Sequence, residues 1–466
     1  MLARIIEFFN LLDKKGITYC QWKSNERLGS FLNGESDLDL LFYSSDQDKI
    51  EEIFSKIGAK KFEILRFSKY KNIIDYLQVD EKTGKIIHYH VYFSLELGEP
   101  NVKQYLIEWS DEILLNRIKH EQYNVWIPSH EHELVLLILR EVLRIPYLKM
   151  FIIKNSYFKL NFSNKMIGEF NWLKKRVDKK KFISTVNKLF SEKKNITDAF
   201  EYIFENSFSF KKISELFDNL ESFKQENKIK NSFYSHYNFI KLIFTSKLFL
   251  FKKSSDFKNR INPRKGLLVA VIGSDGAGKS TLIQNLKKEF GKKINVKNFY
   301  FGSPKSEKIS IFPWLKIITF FGLKPFLNLF LKKINLRKAI NLRNKGLLIL
   351  CDRFPQSKYE KLLDGPRLST DNNSNNFLKK WASNYEKKEF EKIFNSKIDL
   401  VIKLKVDENL SSSRGKLPID LAKKKTQAIE NLIFPNCNKH YELNAISNSS
   451  ERIKIQTMNI IWKNID

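Results

Sequence analysis

The sequence predicts an α/β protein in three segments: an α+β region over 1–127, a helical connector over 128–262, and a parallel sheet with helices on both faces over 263–466. Three observations carry this. The runs "LLVAVIG" (267–273), "KGLLILCDRF" (345–354) and "KIDLVIKLKV" (397–406) are apolar enough for strands buried on both faces. Helical spacing separates them, and that alternation is the pattern of a parallel sheet. Upstream of about residue 255 the texture differs, with short strands first and then a glycine-poor helical stretch. A chain of 466 residues has room for two or three such cores.

In order, "MLARIIEFFNLLDKKG" (1–16) interleaves Arg4, Glu7 and Asp13 with apolar residues and reads as an amphipathic helix, not a signal peptide. "GESDLDLLFY" (34–43) is strand-like, and 73–95 reads as strand, turn, strand around Lys82-Thr83-Gly84. Ser129 is placed to cap the helix that opens with "HEHELVLLILREVLR". "KKSSDFKNRINPRKG" (252–266) is polar, contains Pro263 and Gly266, and reads as a linker. The most apolar stretch is 311–331. Lys316, Lys324 and two prolines argue against a spanning helix there, so buried or lid-like helices are expected, with a membrane-surface segment as the alternative.

The formal net charge of +30 comes from lysines spread along the whole chain, with no arginine-rich cluster or nucleic-acid-binding module. It suits attraction of anionic small molecules and argues against nucleic acid as the main partner. Cys20, Cys351 and Cys437 lie far apart, forming neither a zinc nor a disulfide framework. A reducing, cytoplasmic location is expected.

Chemistry concentrates at Gly273-Ser274-Asp275-Gly276-Ala277-Gly278-Lys279-Ser280-Thr281, which satisfies GxxxxGK[ST] after a strand and before a helix. Its glycines let backbone N–H groups face phosphate oxygens, and the helix that follows turns its positive end to the anion. Lys279 should reach the β- and γ-phosphates of ATP, and the Ser280 hydroxyl should ligate Mg²⁺. Asp352, at the end of a neighbouring strand, is placed to hold the metal or its water, and Arg353 can meet a phosphate. No arginine lies between the loop glycines, so a transition-state cation must come from elsewhere. Arg414 and Lys416 are the candidates, with Lys423 to Lys425 behind them.

The loop, "CDRF" (351–354) and "DLVIKLKVDENLSSSR" (399–414) together resemble the thymidylate kinase family of P-loop kinases over about 265–466. The resemblance implies ATP-dependent phosphorylation of a nucleoside monophosphate, dTMP by default, and a place in nucleotide biosynthesis. It implies that Asp275 touches the acceptor's sugar, that Arg353 faces the transferring phosphates, and that Arg414 opens a lid with "RGK". Phe354 stands where the family commonly has tyrosine, and Asp364-Gly-Pro-Arg367 has no counterpart in ordinary members.

A second chemistry is suggested by "WKSNERLGSFLNGESDLDLLFY" (22–43). Asp37 and Asp39, spaced i, i+2 on a strand, point to one face and could share a divalent metal. With Lys23-Ser24 as a turn upstream, residues 15–127 resemble the nucleotidyltransferase superfamily, whose phosphate turn reads Gly-Ser. The resemblance implies Mg²⁺ on Asp37 and Asp39 and a third acid on a neighbouring strand. Asp75 is one candidate, while His88 and His90 stand as an alternative base or ligand pair. A kinase-like part joined to a nucleotidyltransferase-like part is similar to pairings in bacterial surface-polysaccharide loci, where a sugar phosphate would be a substrate. Two other readings stay open: a kinase of a sugar or other small hydroxyl compound, and a nucleotide-gated binding or scaffold protein.

Overall fold

In the computed structural model the described residues are 1–64, 70, 72–99, 103–145, 150, 162–191, 193–220, 223, 260–302, 324–359, 362–368, 377–437 and 439–466. They form two compact units, Met1–Gln78 with Ile87–Phe257, and Val79–Ile86 with Lys258–Asp466. The helical stretch expected as a separate connector therefore belongs to the first unit. Its helices share one continuous apolar core with one face of that unit's sheet.

The first unit is built on strands β1 (Tyr19–Gln21), β2 (Leu38–Phe42), β3 (Lys60–Ile64), β4 (Ile73–Val79) and β5 (Ile86–Tyr92), ordered β1-β2-β5-β4-β3 across the sheet. The expected strand, turn, strand over 73–95 is β4 and β5, with Gly84 at positive φ in the turn. β2 runs parallel to β5, which sets Asp39 opposite His90, and antiparallel to β1. Alternation decides what each face carries. Leu38, Leu40 and Phe42 of β2, with Ile74, Tyr76, Ile87, Tyr89 and Val91, enter a core under helices α1 (Ala3–Lys14) and α2 (Gln47–Lys56). Phe54 of α2 stacks on Tyr76 with ring centroids 4.1 Å apart. Burial of each such side chain contributes about 2 kcal/mol, so a one-residue slip of a strand is strongly opposed. The same register places Asp39, Asp75, His88, His90 and Tyr92 on the opposite face.

That opposite face is covered by α3 (His130–Leu143), followed by α4 (Asn164–Lys174), α5 (Lys179–Leu189), α6 (Lys194–Asn206) and α7 (Phe210–Asn219). Ser129 caps α3, accepting from the His132 backbone N–H, as its position in the sequence implies.

The second unit is a parallel sheet of β6 (Leu268–Gly273), β7 (Val296–Tyr300), β8 (Leu348–Asp352), β9 (Leu400–Lys405) and β10 (His440–Asn444), ordered β7-β8-β6-β9-β10. Leu268, Ala270 and Ile272 face a core with helices α9 (Lys324–Asn344) and α10 (Phe377–Phe394), while Val269 and Val271 between them are buried too. Helices α8 (Lys279–Phe290) and α13 (Ser450–Asn464) pack on each other and on the sheet, and α11 (Glu408–Gly415) and α12 (Ile419–Glu430) follow β9. The apolar runs were strands because both faces are covered. The chain leaves β6 for the edge strand β7 and then returns beside it. The loop after β6 thus opens at the carboxyl ends of the strands, where α/β sheets bind ligands.

Of the apolar stretch 311–331, residues 311–323 lie outside the described residues and the rest enters α9. Most of the expected linker, 252–259, also lies outside them. Among the described residues no helix is long and apolar enough to cross a membrane.

Candidate functional site

Gly276 and Gly278 both adopt positive φ, +78° and +85°, and Gly278 forms the left-handed N-cap of α8. Glycine is the residue that takes this conformation without strain. At Gly276 space is short as well, because a Cβ there would stand 2.8 Å from the Arg414 Cβ and from the Gly415 N. Gly276→Ala should therefore cost stability twice over, about 1–3 kcal/mol in all. Thermal unfolding would show it as a lowered Tm, and an unchanged Tm would contradict this loop geometry.

Lys279 is buried, and its ammonium donates to the carbonyls of Gly273 (2.9 Å) and Ser274 (2.6 Å). Burial, aided by the nearby Arg353, lowers its pKa to about 8, against the pull of Asp275 and Asp352. The Ser280 hydroxyl donates to Asp352 Oδ2 at 2.6 Å. The other carboxylate oxygen, Asp352 Oδ1, is buried and makes no hydrogen bond. A hydroxyl and a carboxylate with a spare oxygen form a hard-oxygen pair that suits Mg²⁺.

Beside this pair lies a cavity of about 190 Å³ lined by Asp275, Arg353, Gln356, Asp364, Arg367 and Lys425, among others. Arg353 donates to Asp275 at 2.6 Å and to Asp364 at 3.5 Å, and Lys425 donates to the second oxygen of Asp275 at 2.6 Å. Burial alone would raise the Asp275 carboxyl, but the bonds from Lys425 and Arg353 outweigh it and hold its pKa at about 2. Arg353 holds φ +67°, a strained conformation for a side-chain-bearing residue, and strain of this kind gathers at functional sites. Lys332 is buried behind the cavity and donates to the Phe301 carbonyl at 2.6 Å. Burial moves its pKa down to about 8.

The loop residues, Asp352 and Arg353 thus come together. Ala277 is buried under the loop, and Thr281 is exposed in the first turn of α8. Arg414 does not line the cavity. Its backbone abuts Gly276 at the end of α11 while the residue stays exposed, and Lys416 is exposed in a left-handed C-cap. The inward cation of this region is Lys425. It shares a helix face with the buried Ala422, Ala428 and Ile429, and a lysine in that register was the available signal. Asp364 and Arg367, from the turn without a family counterpart, line the cavity, and the backbone N–H of Arg367 donates to Glu386 at 2.9 Å.

In the first unit, Asp37 precedes β2 and the two aspartates engage different partners. Asp39 meets the Lys23 ammonium at 2.8 Å and His90 Nδ1 at 3.2 Å. His88 lies between Asp37 (2.8 Å) and Asp75 (2.7 Å). Burial would raise the Asp39 carboxyl, but Lys23 and His90 hold it far below its ordinary range. Burial lowers His90 to about 4 against the neighbouring Asp75 and Asp39. The expected shared metal on Asp37 and Asp39 does not fit this arrangement. The carboxylates are held by different side chains, Asp37 by His88 and Asp39 by Lys23 and His90, and among the described residues no group of three or more His, Cys, Asp or Glu could hold a metal ion.

The Lys23-Ser24 turn is present, with Ser24 in left-handed conformation before a short 3-10 turn. Its donors are taken from within. Ser24 N–H and Oγ both donate to Glu169 of α4 at 3.2 Å, and Asn25 N–H donates to Glu133 of α3 at 3.0 Å. Arg140 closes the network onto Glu169 at 2.9 Å.

No protein-family model matches the chain. Among curated proteins it is similar to the uncharacterized ATP-binding protein YghR of Escherichia coli, from strain K12 and from strain CFT073. The two sequences are 25% identical over 179 residues, covering 32% of this chain and 68% of that protein. Among solved structures it is similar to deoxyadenosine kinase from M. mycoides with bound dATP, with TM-score 0.28 and 19% identity over 41% of this chain and 97% of that one. It is also similar to thymidylate kinase from Candida albicans, with TM-score 0.30 and 19% identity over 43% and 94%.

Proposed function

We propose that the second unit is a Mg²⁺-dependent, ATP-using phosphotransferase that passes the γ-phosphoryl group to a nucleoside monophosphate, with dTMP the first acceptor to test. The observation that carries this reading is the Ser280–Asp352 pair, with its spare buried oxygen, at the mouth of a glycine cradle. The name of the curated relative, an ATP-binding protein, agrees with ATP as donor.

Phosphoryl transfer asks for positioning and charge neutralisation more than for a covalent group. Main-chain N–H groups of 274–279 would hold the β- and γ-phosphates, and Lys279 would exchange its loop carbonyls for phosphate oxygens. Ser280 and Asp352 would hold Mg²⁺, which offsets negative charge on the phosphates. An acceptor oxygen attacks the γ-phosphorus, the bond to the bridging oxygen breaks, and ADP leaves. Arg353 and Lys425, released from Asp275 by an incoming dianion, are positioned to bind the acceptor phosphate. Asp275 would then turn to an acceptor hydroxyl.

A second reading, a sugar or other polyhydroxy acceptor, is favoured by the crowding of Asp275, Asp364, Arg353, Arg367 and Gln356 around a small cavity. The test is mass spectrometry of products from the full chain given ATP, Mg²⁺ and, separately, dTMP, dUMP, AMP, sugars and sugar phosphates. A nucleoside diphosphate formed in step with ADP is expected, reduced about a hundredfold or more in Asp352→Asn. Phosphorylated sugar with untouched nucleotides would replace the first reading by the second. ATP hydrolysis indifferent to every acceptor would remove both.

A further inference from the structure

The geometry points to a metal-independent centre in the first unit, in which the Lys23 ammonium takes the place beside Asp39 that a divalent cation would need. Lys23 leaves the end of β1, lies over the Trp22 and Tyr92 rings at 4.7 and 5.4 Å, and reaches Asp39 at 2.8 Å. Its position is set from several sides. The aromatic faces favour a cation, the Tyr92 hydroxyl accepts from it at 3.4 Å, and Asp39 is buried on the helix-covered face of the sheet.

A divalent ion on that carboxylate oxygen would crowd the ammonium already bound to it. Their like charges would meet at about 3 Å in a site from which water is largely excluded, a costly repulsion. The other acids near that face are engaged by histidine, with Asp37 and Asp75 at opposite nitrogens of the buried His88 and Asp75 also 3.8 Å from His90.

The turn supplies an independent observation. Where a triphosphate tail would need donors, the Ser24 and Asn25 amides and the Ser24 hydroxyl already serve Glu169 and Glu133. Glu169 and Glu133 are 3% and 1% exposed, so an incoming polyphosphate would meet buried acidic side chains whose donors are already bonded. In the first unit the chain's own side chains thus stand where a metal and a phosphate would have to be. Its centre holds together without either.

The test is Mn²⁺ binding to the full chain without nucleotide, read by the electron paramagnetic resonance signal of free Mn²⁺. Wild type and Asp39→Asn should bind the same number of ions. Lys23→Ser should gain one further ion, at least tenfold tighter than anything Asp39-dependent in wild type, and Lys23→Ser/Asp39→Asn should lose it. An ion removed from wild type by Asp39→Asn would overturn the proposal, as would a folded Lys23→Ser that gains none. A readout needing no variant is the histidine NMR spectrum of wild type under Mn²⁺. The His88 and His90 signals should stay sharp, and their selective broadening would also overturn it.

Discussion

Lys279→Met should lower kcat for ATP-dependent phosphoryl transfer by about a hundred- to a thousandfold, the scale seen when one preorganised donor to a developing charge is removed. Lys279 is the cation buried within the loop, and its ammonium donates to the Gly273 and Ser274 carbonyls. Methionine keeps the length and the apolar stem but has no charge to give to the phosphates. A coupled assay for ADP measures the effect directly. Retention of wild-type turnover would remove Lys279 from the reaction, and with it the proposed role of the cradle. The same substitution has a signature in stability. The folded protein releases the Lys279 proton near pH 8, whereas the unfolded chain holds it to about its ordinary 10.5. The unfolded state therefore binds more protons between those values, and wild-type stability gains from this group as pH rises through that window. Lys279→Met should lack that gain.

Much of the second unit was legible in the sequence because its signals are local. Three apolar runs became β6, β8 and β9, and the glycine loop falls between β6 and α8. Asp352 closes β8 against Ser280, as a carboxylate ending a strand beside the loop implied. What was not legible depends on side chains brought from a distance. Lys425 lies 150 residues from the Asp275 it bonds, and no spacing rule reports such a pair. Lys332 shows the same limit with a warning attached. It occupies a buried register of α9 with Leu329, Leu336 and Ala339, where a charge must find partners, yet only the fold reveals that the partner is the Phe301 carbonyl.

In the first unit, periodicity correctly put Asp39 on one strand face, and the histidines joined it there. Chemistry was harder to read, because a paired aspartate looks the same in sequence whether its counter-ion is a metal or a lysine. Lys23 stood in the motif as part of a turn. Its reach to Asp39 follows from β1 ending beside β2 in antiparallel register, a long-range fact. The helical stretch was read from its local pattern, while the bonds from the turn to Glu133 of α3 and Glu169 of α4 depend on contacts far apart in sequence.

Glu133 leads to the second large effect. Burial drives its carboxyl up to about 8 from its ordinary 4.5, with Glu169 and Glu26 adding to the rise and the bonds from Asn25 opposing it. The folded chain therefore keeps a proton that the unfolded chain has already released over that whole window. Stability from this group is fully present below about pH 4.5 and is lost as pH climbs toward 8. At about 1.4 kcal/mol per pKa unit the loss amounts to several kcal/mol, large beside the whole stability of a domain. Glu133→Gln, neutral at every pH, should flatten the decline, and near pH 8 the variant should unfold at higher urea than wild type. Urea unfolding followed by tryptophan fluorescence at pH 5, 6.5 and 8 tests this. The Lys279 slope begins where the Glu133 slope ends and has the opposite sign, and each belongs to the unit that carries the residue. A wild-type midpoint that holds steady from pH 5 to 8 would mean that Glu133 is ionised in the folded chain, with Asn25 and its neighbours carrying the charge.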